Sequence, residues 1–168
     1  MFEGCFNLSY VSDEFSSLTN GTAMFKSCEK LNMLTVDLSS LEYAEGMFKS
    51  IGATITKVNT NYNDNETLCF TTGLPNLQNG ASMFEDSYVN FFVCDMPMLK
   101  EGIHMFSKLR HNGEGLAFHS TLEELYSGEY MFSYSYIQVI NTLHPSNDYS
   151  GIYISPYRDT YFISMPKL

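Results

Sequence analysis

The residues able to do chemistry are few and scattered. The histidines are His104, His111, His119 and His144. His119-Ser120 has the residue types of a base and a nucleophile, but no Gly-x-Ser-x-Gly elbow accompanies it. Cys5, Cys28, Cys69 and Cys94 form no CxxC pair and have no His at zinc-ligand spacing. They read as buried free thiols, with Cys5 and Cys28 placed to stack in adjacent units. Asn59, Asn61, Asn63, Asp64, Asn65 and Glu66 alternate oxygen-bearing side chains as a calcium loop does. Glu66 stands where an EF-hand needs Gly, and no carboxylate follows at the twelfth position, so a solvated loop is expected. Gly113-Glu114-Gly115 lacks the remaining glycines of a phosphate loop. Sequons at Asn7, Asn20 and Asn65 would matter only in a eukaryotic secretory route. The expectation is no catalytic set, no metal site and no cofactor.

The elements that position these residues come from one internal repeat. Met-Phe pairs begin at Met1, Met24, Met47, Met83, Met105 and Met131, at intervals of 23, 23, 36, 22 and 26 residues. Such a period marks a stack of repeats, each unable to bury its own apolar face alone. The second unit reads Met24-Phe25, Cys28, Leu31, Leu34, Val36, Leu38, Leu41 and Ala44. The stretch around Leu34-Thr35-Val36 alternates with period two and predicts a strand; the steps of three from Leu38 to Met47 suit a helix or 3₁₀ turn. The fold class expected is therefore α/β, a short solenoid of about six coils with parallel strands along one face. Small residues at Gly21, Ala44, Gly80, Gly102 and Gly128 are expected at close backbone crossings or at positive φ.

The pattern Leu31-x-x-Leu34-x-Val36-x-Leu38-x-x-Leu41, then Ala44 and Met47-Phe48, resembles the Treponema-type (BspA-like) leucine-rich repeat. The Met-Phe form is similar to repeats of bacterial surface and phage-encoded proteins, and the resemblance covers roughly residues 1–132. Ile51, Ser87, Leu109 and Ser135 depart from it at the Cys position. The third unit also departs, with an insertion of about 13 residues near 51–67. The resemblance implies a non-enzymatic protein-interaction or adhesion module on a bacterial cell surface or phage particle, or else a structural component of a virion or appendage.

Such a module would bind through a concave strand face. Its outward positions are Tyr10, Ser12, Met33, Thr35, Asp37, Thr71, Phe91, Val93, Asp95 and His119. Hydroxyls, acids and exposed rings there suit a protein partner or a glycan. Residues 1–136 are assigned to the repeats and 137–168 to a Tyr-rich C-terminal cap with short strands at Ile152–Ile154 and Tyr161–Ile163.

Charge sets the remaining limits. With 9 Lys+Arg against 19 Asp+Glu the net charge is −10, which opposes binding to nucleic acid or anionic lipid. Neither a signal peptide nor a run of roughly 18 apolar residues occurs, so no membrane insertion is expected. No covering segment precedes Met1-Phe2 in the repeat phase. That leaves an open edge at the first unit: either the sequence is a fragment of a longer protein, or the edge is expected to be buried against a partner, for instance a second copy in a head-to-head dimer.

Overall fold

The computed structural model describes residues 1–52, 57–59, 67–110, 115–143 and 162–163. Its strands are β1 (Tyr10–Glu14), β2 (Met33–Asp37), β3 (Lys57–Asn59), β4 (Thr67–Phe70), β5 (Phe91–Val93), β6 (Leu116–Thr121), β7 (Gly128–Glu129), β8 (Ile137–Leu143) and β9 (Phe162–Ile163). Seven of them form one sheet in the order β1-β2-β4-β3-β5-β6-β8, and every pairing in it is parallel. The period-two alternation does what it predicts: Leu34 and Val36 are buried while Met33, Thr35 and Asp37 are half-buried.

Among the described residues there is no helix. The steps of three are single turns instead. The amides of Met24, Cys28, Leu31 and Leu41 donate to the carbonyls of Gly21, Phe25, Cys28 and Leu38, three residues back, at 3.0–3.1 Å. These turns cannot propagate, because left-handed residues reset the chain on both sides of each Met-Phe pair. Ala23 (φ 54°) and Ser27 (φ 59°) flank Met24-Phe25; Gly46 and Ser50, Ser82 and Asp86, His104 and Lys108, and Tyr130 and Tyr134 repeat the arrangement. Left-handed backbone costs a non-glycine residue about 1–2 kcal/mol.

A second hydrogen-bond ladder offsets that cost. The amides of Phe2, Phe25, Phe48, Phe84 and Phe106 each donate to the carbonyl of the Met in the next unit, at 2.7–2.9 Å. Bridges Asn20↔Tyr43↔Asn79↔Glu101↔Ser127 join the corners where the units turn back. The segments behind the sheet are thus held rung to rung, as strands are.

Between the two sides lies the core. Neighbouring Phe rings of the Met-Phe pairs stack at 5.4–5.5 Å within 12° of parallel, from Phe2 through Phe25, Phe48, Phe84 and Phe106 to Phe132. Phe92 and Phe118, from the sheet, meet this column edge-on. Leu31, Leu34, Leu38 and Leu41 are fully buried. The small residues owe their size to close packing. A Cβ on Gly21 would lie 2.9 Å from Met47 Sδ, and one on Gly80 would lie 3.1 Å from Met105. Their φ angles are not positive.

The long third interval changes only one side. Phe48 stacks directly on Phe84, so the Met-Phe column passes over it without a gap. On the sheet side, two strands occupy the same interval. β4 lies beside β2, and β3, earlier in the chain, lies between β4 and β5. The insertion therefore adds a strand at Lys57–Asn59; residues 53–56 and 60–66 lie outside the described residues. At the far end, β8 continues the sheet beside β6. The strand anticipated at Tyr161–Ile163 appears as β9, paired antiparallel with β7. Ile152–Ile154 lies outside the described residues.

Candidate recognition face

Sheet register places eight of the ten outward residues in two groups, with Thr71 just past β4 and Asp95 just past β5. On β1 and β2, Tyr10 pairs with Met33, Ser12 with Thr35, and Glu14 with Asp37. On β5 and β6, Phe91 pairs with Ala117 and Val93 with His119. β4 and β3 separate the groups. From β2 to β5 is three strand steps, about 14 Å at ordinary strand spacing.

The first group is partly tied into the fold. The Asp37 carboxylate accepts the Ser39 N–H and the Thr72 hydroxyl, both at 2.9 Å. Those bonds hold its pKa below the usual carboxylate range. Thr71 donates its amide and its hydroxyl to the Val36 carbonyl, at 3.0 and 3.4 Å. The Thr35 hydroxyl is buried with no hydrogen-bond partner among the described residues. Tyr10 and Ser12 are left open, Tyr10 with half its surface exposed.

The second group is more compact. Phe91 is 41% exposed, and its ring centre lies 6.3 Å from that of His119, tilted 51°. Asp95, just past β5, is exposed and accepts the Thr121 N–H at 3.1 Å. An apolar ring and an imidazole thus lie side by side on the face, with a carboxylate farther along the same chain segment. Such a set offers stacking together with hydrogen bonds.

Sequence reasoning missed the residues between the groups. Lys57, Asn59 and Cys69 stand in register with the outward rows, and Asn59 and Cys69 are buried there. A usable signal was present: Thr54, Ile55, Thr56, Val58 and Thr60 are β-branched, as strands favour.

The scattered chemical candidates stay scattered. His104 sits on the Met-Phe side, stacked on Tyr130 at 5.2 Å, whereas His119 is on the sheet. His111, His144 and the stretch 60–66 lie outside the described residues, as do Gly113 and Glu114. Among the described residues no three His, Cys, Asp or Glu side chains gather as metal ligands. All four cysteines are free thiols; Cys28, Cys69 and Cys94 are buried, and burial pushes Cys28 and Cys94 up in pKa. Cys5 is exposed, contrary to expectation, because among the described residues unit 1 has a neighbour on one side only.

At the position Cys5 and Cys28 occupy in the repeat, the later units reveal a polar role. Cys28 Sγ donates to the Phe2 carbonyl at 3.1 Å. Ser87 Oγ donates to the Phe48 carbonyl and Ser135 Oγ to the Phe106 carbonyl, each at 2.6 Å. The same hydroxyls accept the amides of Ile51 and Leu109. The serines that depart from the repeat pattern are therefore hydrogen-bonding equivalents of its cysteine.

The charged groups on the Met-Phe side are structural. Burial alone would raise the Glu85 carboxyl, but hydrogen bonds from Lys49 (2.7 Å), Lys108 (2.9 Å) and Ser82 overcome it and hold its pKa down to about 2. Arg110 grips Asp86 through two nitrogens, at 2.8 and 2.6 Å.

Comparison with known proteins found no matching family model, curated protein or solved structure. Among the described residues no helix is long and apolar enough to cross a membrane.

Proposed function

We propose that this chain is a short leucine-rich-repeat solenoid of the BspA-like kind, acting as a non-enzymatic recognition module through the outer face of its sheet. One observation carries the reading. The inward rows of the sheet are closed, with Phe92 and Phe118 fully buried, while the outward rows keep Tyr10, Ser12, Phe91 and Asp95 exposed. The two hydrogen-bond ladders and the unbroken Phe column support the solenoid half of the proposal. The Phe91–His119 pair, with Asp95 farther along, is its binding centre, and its partner is a protein surface or a glycan. A net charge of −10 speaks against a polyanionic ligand. A bacterial surface or a phage particle as its location follows from the resemblance alone. A structural part in a virion or appendage is the second reading, favoured by the half-buried apolar face of unit 1.

The test is recovery of a cross-linked partner from the native source with the wild-type chain and with Phe91→Glu and Tyr10→Glu. Loss of the partner with folded Phe91→Glu supports the module. Retention with both variants, together with cross-links only at unit 1, supports the structural part instead.

A further inference from the structure

Phe91 and Phe92 are neighbours in the chain with opposite surroundings. Phe92 is fully buried, and Phe91 is 41% exposed on the outer face of β5. The core accounts for Phe92 alone, because a ring on the solvent side of a strand gains nothing from it. Strand β5 is paired on both sides, to β3 and to β6, so the position of Phe91 does not depend on either end of the sheet.

The neighbours of the ring leave it open. In register with Phe91 stand Lys57 on β3 and Ala117 on β6, and Ala117 rises no higher than a methyl group. Diagonally across β6 is His119. Its ring centre lies 6.3 Å from that of Phe91 and its plane is tilted by 51°, so the imidazole stands beside the phenyl ring rather than flat on it. A neutral imidazole has one donor and one acceptor. The result is a flat apolar surface with a methyl step beside it and a polar group at its rim.

The size of that surface selects the ligand. Tyr10, the other exposed aromatic of the ten outward residues, is on β1, four strand steps away, or about 19 Å at ordinary strand spacing. Asn59 and Cys69, on the strands between, are buried and offer no apolar continuation. A stable protein interface needs about 800 Å² on each side and clustered anchors, far more than one ring. A hexopyranose with equatorial substituents has the matching shape. Its axial C–H groups form an apolar face about the size of a phenyl ring, and its hydroxyls lie around the rim.

We propose that the corner formed by Phe91, Ala117 and His119 binds a neutral β-linked hexopyranose, which makes a glycan the partner of the recognition module on which this assignment rests. The C–H face of the sugar lies on Phe91, one edge of it reaches over Ala117, and its hydroxyls exchange hydrogen bonds with His119. The net charge of −10 favours neutral over acidic saccharides.

The probes are tetrasaccharides of β-linked glucose, galactose and N-acetylglucosamine, with tetragalacturonic acid as the acidic control, added at millimolar concentration to the isotope-labelled full chain. At least one neutral probe is expected to shift resonances of Phe91, Val93, Ala117 and His119, with saturation passing from the Phe91 ring to axial sugar protons. The acidic control is expected to shift none of them. Phe91→Ala should weaken binding about tenfold or more, as loss of a stacking contact and its buried area does. Ala117→Leu fills the step and should weaken binding with Phe91 still in place, whereas Tyr10→Ala should leave it unchanged. An amide spectrum unchanged outside the substituted strand and its neighbours shows each variant to be folded. No shift with any neutral probe overturns the sugar assignment, as do equal shifts with the acidic control or shifts confined to other strands. If a cross-linked protein partner is still lost with folded Phe91→Glu, the recognition reading survives that failure and the ligand is a protein; if neither sugar nor protein binding depends on Phe91, both readings fall.

Discussion

Units 1 and 2 are nearly the same sentence spelled twice. Met1-Phe2, Cys5, Leu8, Val11 and Leu18 match Met24-Phe25, Cys28, Leu31, Leu34 and Leu41. Every residue of the second set is buried, and none of the first is. Residue type specifies which face of a unit is apolar; the number of neighbouring units decides whether that face is dry. On the solenoid reading proposed above, stability sits in the interfaces between units, so a unit with one interface among the described residues is held less firmly than an inner unit with two.

Substitutions at matched positions give the widest separation. Phe25→Ala removes a ring stacked on both Phe2 and Phe48 and should cost about 3–5 kcal/mol. Phe2→Ala removes a half-buried ring with one stacking neighbour among the described residues, and should cost less than half as much. Denaturant midpoints of the two variants at constant slope measure the difference. Equal losses would mean that unit 1 is packed on both sides in solution.

Gly52 provides a second inner-unit test. A Cβ there would lie 1.6 Å from the Glu29 carbonyl oxygen and 2.6 Å from its carbon, so backbone must shift to admit it. Gly52→Ala should cost about 3 kcal/mol through overpacking. Gly4→Ala, in unit 1, meets nothing nearer than 4.0 Å and has only its left-handed φ of 71° to resist it. Calorimetric melting of the pair should place Gly52→Ala well below Gly4→Ala.

Acid should loosen the inner units in the same order. Glu85 has its folded pKa lowered to about 2 by Lys49, Lys108 and Ser82 against the pull of burial. A depressed carboxylate stabilises the fold above its unfolded pKa, and that contribution disappears as pH falls from about 4.5 toward 2. The loss expected is on the order of 2–3 kcal/mol, removed by Glu85→Gln. Stability of the Gln variant that still fell by the full wild-type amount over that range would assign the acid sensitivity elsewhere.

Much of this architecture was legible in the sequence because Met-Phe is rare and recurs in phase. The strands, their parallel pairing and the buried Leu and Phe positions follow from that phase alone. The turns were not legible as turns. Steps of three fit a helix equally well, and the left-handed residues that stop one are Ala23, Ser27, Ser82 and His104, whose types carry no such signal. The strand β3 was hidden because it breaks the period, and its out-of-order place in the sheet depends on pairing partners distant in the chain. The outward residues were named strand by strand, but their separation into two groups depends on that same strand.

Ser87 offers a smaller effect, local to one interface. Its hydroxyl satisfies the Phe48 carbonyl and the Ile51 amide in a buried site, so Ser87→Ala should cost about 1–3 kcal/mol. Ser87→Cys should recover part of it, since Cys28 Sγ makes the equivalent bond to Phe2. Cys5→Ala, at the matching position of unit 1, should be close to neutral, because that thiol is exposed. A loss on Cys5→Ala as large as on Ser87→Ala would place unit 1 under cover.

The smallest effect comes from a single backbone position. Two residues after the Phe, unit 1 has Gly4 (φ 71°) and unit 2 has Ser27 (φ 59°), both left-handed. Ser27→Gly relieves about 1 kcal/mol of left-handed strain. It also frees the unfolded chain by about 0.5–1 kcal/mol, so the net gain should be a few tenths at most. Gly4→Ser reverses both quantities and would be equally small if unit 1 were as firmly held as unit 2. The two units differ in how much of the time the geometry is enforced. Gly4 bonds Lys26 through its amide at 2.9 Å, just as Ser27 bonds Lys49, but Lys26, next to Ser27, thereby also holds a rung from unit 1, and among the described residues no amide does the same for Glu3, next to Gly4. Fraying of unit 1 lets a serine there escape the left-handed region, so Gly4→Ser should change global stability less than Ser27→Gly. It should instead raise amide exchange at residues 2–8 alone. Uniformly faster exchange across units 1 to 3 would show that the first unit opens only together with its neighbours, and that the two ends of the comparison belong to one cooperative block.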